Sequence, residues 1–76
     1  MKTVYRYPII IEKTKSNYSA YCPDLPGCVA TGKSVSETFD RAKKAIRFHL
    51  DGMKKDGLPI PPPSSKVEYI EISVSV

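Results

Sequence analysis

The proline-rich stretch from Leu58 to Ser65 limits the fold of this 76-residue chain more than any other feature. It contains four prolines, three of them consecutive. Proline fixes φ and has no backbone N–H to donate, so the stretch is neither a helix nor a central strand. It is a stiff, extended connection, and we expect it to carry the chain back to a sheet.

One amphipathic helix is predicted before this connection, from Ser34 to Asp56. Ser34 and Glu37 have the spacing of a capping box, and Gly57 can adopt the left-handed conformation that ends a helix. Apolar residues recur at three- and four-residue spacing and form one stripe, which we expect to face a sheet. The stripe consists of Val35, Phe39, Ala42, Ile46, Leu50 and Met53.

The remaining segments predict strands. Val4 to Lys13 and Tyr18 to Cys22 are joined by polar turn residues, and Cys28 to Thr31 follows a loop with two prolines. A last strand from about Val67 alternates apolar and polar residues with period two. The predicted class is α+β in the order β-β-β-α-β, with one helix on a mainly antiparallel sheet. The predicted core comprises Phe39, Ala42, Ile46, Leu50, Ile70, Ile72 and Val74.

Length and composition favour one small globular domain spanning residues 1–76, with 41% hydrophobic and 26% charged residues. No apolar run approaches the ~20 residues of a membrane span, and no signal peptide is evident, so we expect a cytoplasmic protein without membrane contact. Cys22 and Cys28 are expected to be thiols in a reducing cytosol. With His49 they are too few for a structural zinc site, and we predict no metal or cofactor.

The chain offers little for catalysis, and we predict no catalytic residue. His49 lies beside the apolar stripe and is expected to pack its ring against the sheet rather than to act as a general base. Cys28 is expected to be a packed strand residue rather than a nucleophile. A degenerate nuclease site that uses Asp24 with Glu37 and Asp40 remains an alternative, although Glu37 already has a capping role.

The helix region carries the whole net positive charge of the chain. Seven basic and three acidic residues lie between Lys33 and Lys55, which gives the +4 of the full sequence. A mixed-charge helix is typical of a solvated face, but Phe48 lies about 180° from Phe39 on the helical wheel, near Arg41 and Lys44. An aromatic ring among basic residues is typical of a binding surface. Nucleic-acid binding through this face, with Arg47 and Lys55 added, is therefore the second functional hypothesis.

The run from Tyr18 to Ser34, YSAYCPDLPGCVATGKS, resembles the HicB-like antitoxin family. Its specific core is the stretch from Pro23 to Cys28 followed by Gly32 and the serine that opens the helix, and the proline-rich exit is a second landmark. The resemblance covers nearly the whole chain. It implies a partial ribonuclease-H-like fold without that fold's catalytic acids, and a protein that binds and masks a HicA-type mRNA-cleaving toxin. The protein would then be an inhibitor and not an enzyme.

Seven residues are candidates for contact with a partner. The loop residues Asp24, Leu25, Pro26 and Gly27 come from the resemblance, and Arg41, Lys44 and Phe48 come from the helix face. The partners we expect are a HicA-like toxin and further copies of the chain, as a dimer or tetramer.

The chain departs from the family pattern in two ways. Many family members carry a DNA-binding domain after the last strand, but this sequence stops at Val76, so we expect no C-terminal DNA-binding domain and no direct DNA binding. A HicA-like toxin is itself usually basic, whereas charge complementarity would favour an acidic inhibitor over one with a basic helix.

Overall fold

A three-stranded antiparallel sheet and one helix form the body of the protein, in a computed structural model that describes residues 2–75. The strands are β1 (Ile10–Lys13), β2 (Tyr18–Tyr21) and β3 (Val29–Gly32), and the sheet order is β1-β2-β3. The helix α1 spans Val35–Lys55. The predicted α+β class and the β-β-β-α order are confirmed.

The strand register places one row of small residues under the helix. Ile11 pairs with Ala20, and Ala20 pairs with Ala30 on the other side. The opposite face of the sheet presents Ile10, Tyr21 and Val29, all exposed. The helix packs mainly on β3 and β2 and barely reaches β1. One face of the sheet is therefore uncovered. The side of α1 that lies toward β1 is an overhanging side, because little of the sheet packs against it.

The ends of α1 are fixed by the residues that the sequence indicated. Ser34 Oγ accepts a hydrogen bond from Glu37 N at 3.0 Å. The carboxylate of Glu37 reaches back one residue further than a capping box requires and accepts from Lys33 N at 3.1 Å. At the other end Gly57, with φ of 72°, donates to Lys54 O, and the next residue donates to Met53 O. These bonds form a Schellman motif and end the helix.

Helix α1 approaches β3 closely because of one glycine. Gly32 is buried, and a Cβ atom built there would lie 2.7 Å from Thr38 Oγ1 and 2.8 Å from Thr38 N. Thr38 is completely buried, and its hydroxyl donates to Ser34 O at 2.7 Å. This buried threonine is tolerated between the helix and the sheet because its hydroxyl has a hydrogen-bond partner in the backbone at the start of the helix.

The predicted core needs correction. Ala42 is buried and Ile46 and Leu50 pack on the core, but Phe39 is 48% exposed because it projects beyond the β1 side of the sheet. Ile70, Ile72 and Val74 are also exposed. The buried side chains instead come from β2, from the loop that follows it and from the first half of α1. They are Ala20, Cys22, Leu25, Cys28, Thr38 and Ala42.

The predicted last strand is not formed in the described chain. Residues 66–75 have no strand partner and are exposed throughout. A strand exists only where a second strand accepts its hydrogen bonds, and within the described residues no part of the sheet does so for this segment. The first predicted strand is also shorter than Val4 to Lys13, since it begins only after Pro8, which cannot donate to the ladder.

Candidate functional site

The loop between β2 and β3, residues 22–28, folds as two successive reverse turns, each with a proline in its second position. Leu25 N donates to Cys22 O at 3.2 Å, and Cys28 N donates to Leu25 O at 3.1 Å. Gly27 occupies the third position of the second turn with φ of 87°, which is the left-handed region that a type II turn requires. The loop is therefore held by its own backbone.

Leu25 fastens this loop to the body of the protein. Its side chain is 1% exposed and forms a core cluster with Cys22 and Cys28, against which Ile46 and Leu50 pack. The predicted role of Leu25 as a contact residue does not fit this burial, because its side chain does not reach the surface. Leu25 is a core residue.

The two cysteines are free thiols and both are buried. Burial raises the pKa of the Cys28 thiol, and the nearby Cys22 raises it further. A raised pKa lowers the thiolate fraction at neutral pH, and the thiolate is the nucleophilic form. The environment of Cys28 therefore suits packing rather than nucleophilic catalysis.

Asp24 fastens the proline-rich connection to the loop. Its carboxylate accepts hydrogen bonds from Ser64 Oγ at 2.9 Å, Ser65 Oγ at 2.8 Å and Ser65 N at 3.4 Å. Partial desolvation favours the neutral acid, but the hydrogen bonds from Ser65 and Ser64 outweigh it, so the pKa of Asp24 lies below its ordinary value. We call this arrangement the Asp24 clamp.

Tyr7 makes a second connection to the same stretch, and the sequence analysis did not identify it. Its hydroxyl donates to Pro61 O at 2.5 Å. Burial raises the pKa of Tyr7, with smaller contributions from Tyr5, Cys22 and Asp24. The contact spans 54 residues of sequence, and no local signal in the sequence could have revealed it.

A shallow groove of about 490 Å³ lies between the loop and helix α1. We call it the loop–helix groove. Phe48 lies at its side, 83% exposed, and His49 is half-buried in it. The groove is lined by Gly27, Cys28, Ala45, Phe48, His49, Gly52, Met53, Asp56 and Leu58. The structure therefore brings together Gly27 and Phe48, which were predicted as contact residues on separate grounds.

The basic candidates on the same side of α1 differ in their freedom. Arg41 donates to Thr31 O on β3 at 3.0 Å and forms an ion pair with Glu37 at 3.3 Å. Lys44 is exposed and lies one helical turn before Phe48. Arg41 is thus hydrogen-bonded to β3 and paired with an acidic side chain. Lys44 and Phe48, in contrast, are exposed next to each other on the helix.

The predicted nuclease acids are not assembled into a metal site. Among residues 2–75, no group of three His, Cys, Asp or Glu side chains is arranged to hold a metal ion. Asp24 faces the serines of its clamp, and Glu37 faces Lys33 N and Arg41.

Within residues 2–75, no helix is both long enough and apolar enough to cross a membrane.

Fold and site together describe a small α+β module that presents an exposed aromatic residue beside a rigid loop. A family model described as the HicB-like antitoxin of bacterial toxin-antitoxin systems matches residues 7–74. A chain of the solved HicA3 and HicB3 toxin-antitoxin complex is similar, with a TM-score of 0.65 and 33% identity. The match covers 78% of this chain and 70% of that one. The protein belongs to the HicB-like antitoxin family.

Similar proteins occur in phage and in cellular genomes. An uncharacterized 14.9 kDa protein of Haemophilus phage HP1 is 42% identical over 64 residues, which are 84% of this chain and 48% of that protein. The chain thus spans about half the length of this relative. A UPF0150 protein of Synechocystis is 28% identical over 74 residues, covering 96% of this chain and 94% of the other.

Proposed function

We propose that this protein is the antitoxin that binds and masks a HicA-type, mRNA-cleaving toxin. The observation that carries the proposal is the 33% identity, over 78% of the chain, to a chain of the HicA3 and HicB3 complex. Because a toxin of this type acts on mRNA, we expect the complex to form in the cytoplasm. The protein acts by occupying the toxin surface, and its own catalysis is not required.

The contact we propose is the loop–helix groove with its exposed aromatic ring. Aromatic residues are enriched among the residues that contribute most to interfaces, and Phe48 projects from the helix where no core contact requires it. Pro26 and Gly27 supply a rigid rim, because the turn hydrogen bonds already fix the loop. A preformed surface loses little conformational entropy on binding.

The pairing of Arg41 with Glu37 lessens the conflict between a basic helix and a basic toxin near Phe48. The Arg41 guanidinium is paired with Glu37 and bonded to the β3 edge, so its charge is partly neutralised. Burial of an aromatic ring does not depend on charge complementarity. We therefore expect toxin binding to depend mainly on Phe48, with a small contribution from Lys44.

The test is a titration of the HicA-type protein from the same genome with wild type and Phe48→Ala. Truncating an 83% exposed side chain should leave the fold intact, while affinity falls about thirtyfold, or ~2 kcal/mol. Phe39→Ala is the matched control, because it removes the same ring from the opposite side of the helix. It should bind the toxin like wild type.

A parallel titration with single-stranded RNA at two salt concentrations tests the nucleic-acid hypothesis. Tight RNA binding that weakens steeply with salt would support that hypothesis over ours, since it reports release of counterions from phosphates. Failure of the wild-type protein to bind or inhibit the toxin would refute the proposed function. Equal affinity of wild type and Phe48→Ala would refute the proposed contact surface alone.

Self-association is part of the proposal, as is usual for so small a chain. The uncovered sheet face and the overhanging side of α1 leave apolar surface that a second copy can bury.

A further inference from the structure

The C-terminal segment, residues 66–75, has the pattern of a strand but pairs with no strand among residues 2–75. Its apolar residues alternate with Glu71 and Ser73, as in a strand that buries one face. Those residues, Ile70, Ile72 and Val74, are 83%, 75% and 72% exposed. A segment with this pattern is stable in water only when its apolar face and its backbone both find partners.

The segment projects from the body of the protein. The radius of gyration is 15.1 Å, against about 11 Å for a compact chain of this length, and the longest extent is 55 Å. Tyr7 holds Pro61, and the Asp24 clamp holds Ser64 and Ser65. The ten residues beyond the clamp are long enough, at ~3.3 Å per residue, to reach about 33 Å from it.

A matching surface lies on the β1 side of the protein. β1 is an edge strand, because the sheet order is β1-β2-β3, and its outer row of backbone groups has no strand partner among the described residues. A groove of about 330 Å³, which we call the β1 groove, lies between α1 and residues 5–9, which lead directly into β1. Its apolar lining includes Tyr5, Ile9, Phe39 and Ile46, and its basic residues are Arg6 and Lys43.

We propose that the C-terminal segment of one copy adds as a strand to the β1 edge of a second copy, and that the exchange is reciprocal. Ile70, Ile72 and Val74 of each copy lie in the β1 groove of the other. Glu68, which lies on the same face of the strand as Ile70 and Ile72, complements Arg6 and Lys43 of the groove, whereas the toxin contact is on the other side of the helix. Each sheet then gains a fourth strand, and β-β-β-α-β is completed by two chains.

A second copy fits this surface better than the segment's own chain does. The Asp24 clamp and the stiff prolines fix the point at which the segment leaves the body, and from there it extends into solvent. In a symmetric dimer the β1 edge of each copy pairs with the C-terminal segment of the other, so that both edges and both segments are paired. Strand addition to a free edge supplies backbone hydrogen bonds, and the alternating side chains supply the fit.

The first experiment measures mass by light scattering after size exclusion. The wild-type protein should have twice the 8.5 kDa mass of one chain. Ile72→Asp should raise the dimer dissociation constant about thirtyfold or more, equivalent to ~2 kcal/mol, because it places a carboxylate in an apolar contact. Phe39→Ala should act in the same direction, while Phe48→Ala should leave the dimer unchanged. A wild-type monomer, or a dimer insensitive to Ile72→Asp, would overturn the proposal.

The second experiment separates exchange from pairing within one chain. Isotope-labelled wild-type protein is mixed with an unlabelled Ser73→Cys variant that carries a nitroxide at position 73. The two native cysteines are buried, so the thiol introduced at position 73 is the accessible one. Exchange predicts paramagnetic broadening of the amides of β1 and of Lys43 in the labelled copy, lost when the nitroxide is reduced. Absence of broadening means that the segment does not reach β1 of a second copy, and broadening only elsewhere means another interface. Either result overturns the proposal, as does broadening that appears only after toxin is added.

Discussion

Replacing Gly32 by alanine tests the closest contact in the fold, the approach of α1 to β3. The added Cβ would lie 2.7 Å from Thr38 Oγ1, 2.8 Å from Thr38 N and 3.1 Å from Thr38 Cα. Two of these three atoms are backbone, so a rotation of the threonine side chain cannot relieve the overlap. The first turn of the helix must move away from the sheet.

The magnitude follows from two opposing effects. Overpacking in a closed site costs ~1–3 kcal/mol, and alanine recovers ~0.4–1 kcal/mol by restricting the unfolded chain. We expect a net loss of about 1–2 kcal/mol, which lowers Tm by about 4–16 °C in a domain of this size. The assay is thermal and urea unfolding followed by circular dichroism.

Gly52→Ala is the matched control for Gly32→Ala. It makes the same substitution in the helix, where no atom outside the local helix backbone lies within 4 Å of the new Cβ. Removing a helical glycine should raise stability by up to ~1 kcal/mol. If Gly32→Ala melted at or above the wild-type temperature, the close approach of α1 to β3 would be wrong.

Three further predictions concern the core, the helix start and the clamp. Leu25→Ala should lower the free energy of unfolding by ~2–5 kcal/mol, measured by urea titration, because it empties the centre of the core; a loss below ~1 kcal/mol would contradict the buried loop. Ser34→Ala should cost ~1 kcal/mol by the same method, whereas Ser36→Ala, at the second residue of the helix, should cost much less. The lowered pKa of Asp24 stabilises the fold at pH above its ordinary 3.8, and this contribution is lost as pH falls through the folded-state pKa. Wild type should therefore lose more stability than Asp24→Asn between about pH 5 and pH 3, and parallel curves would contradict the clamp.

Local signals in the sequence were sufficient to predict the helix and its ends. Ser34, Glu37 and Gly57 act on neighbouring backbone groups, so their spacing alone indicates where α1 begins and ends. The hairpin was predictable for the same reason: Thr14 N donates to Asn17 O at 2.8 Å, and the turn closes on itself. In both cases the partners lie within five residues of each other.

The errors have a different origin, because they concern contacts between distant segments. An apolar stripe identified Phe39 as core and overlooked Thr38, since only the position of Gly32 decides which helix residue meets the sheet. A last strand was predicted from alternation, but none is formed over residues 66–75 of the described chain, because alternation alone does not specify a partner edge. Of the candidate site, the exposure of Phe48 was predicted correctly. That Phe48 and Gly27 line the same groove could not be predicted, because it depends on how the loop and the helix pack in three dimensions.

The double turn of the loop from Cys22 to Cys28 has a consequence for how partner choice evolves in such proteins. The most characteristic residues of the loop have structural roles. Leu25 fills the core, and Gly27 adopts a backbone conformation that is unfavourable for residues with side chains. Asp24 holds the proline-rich connection. Grafting this loop from one relative to another should therefore transfer thermal stability but not partner preference. Exchange of the exposed helix positions, above all 44 and 48, should redirect recognition while the scaffold stays the same.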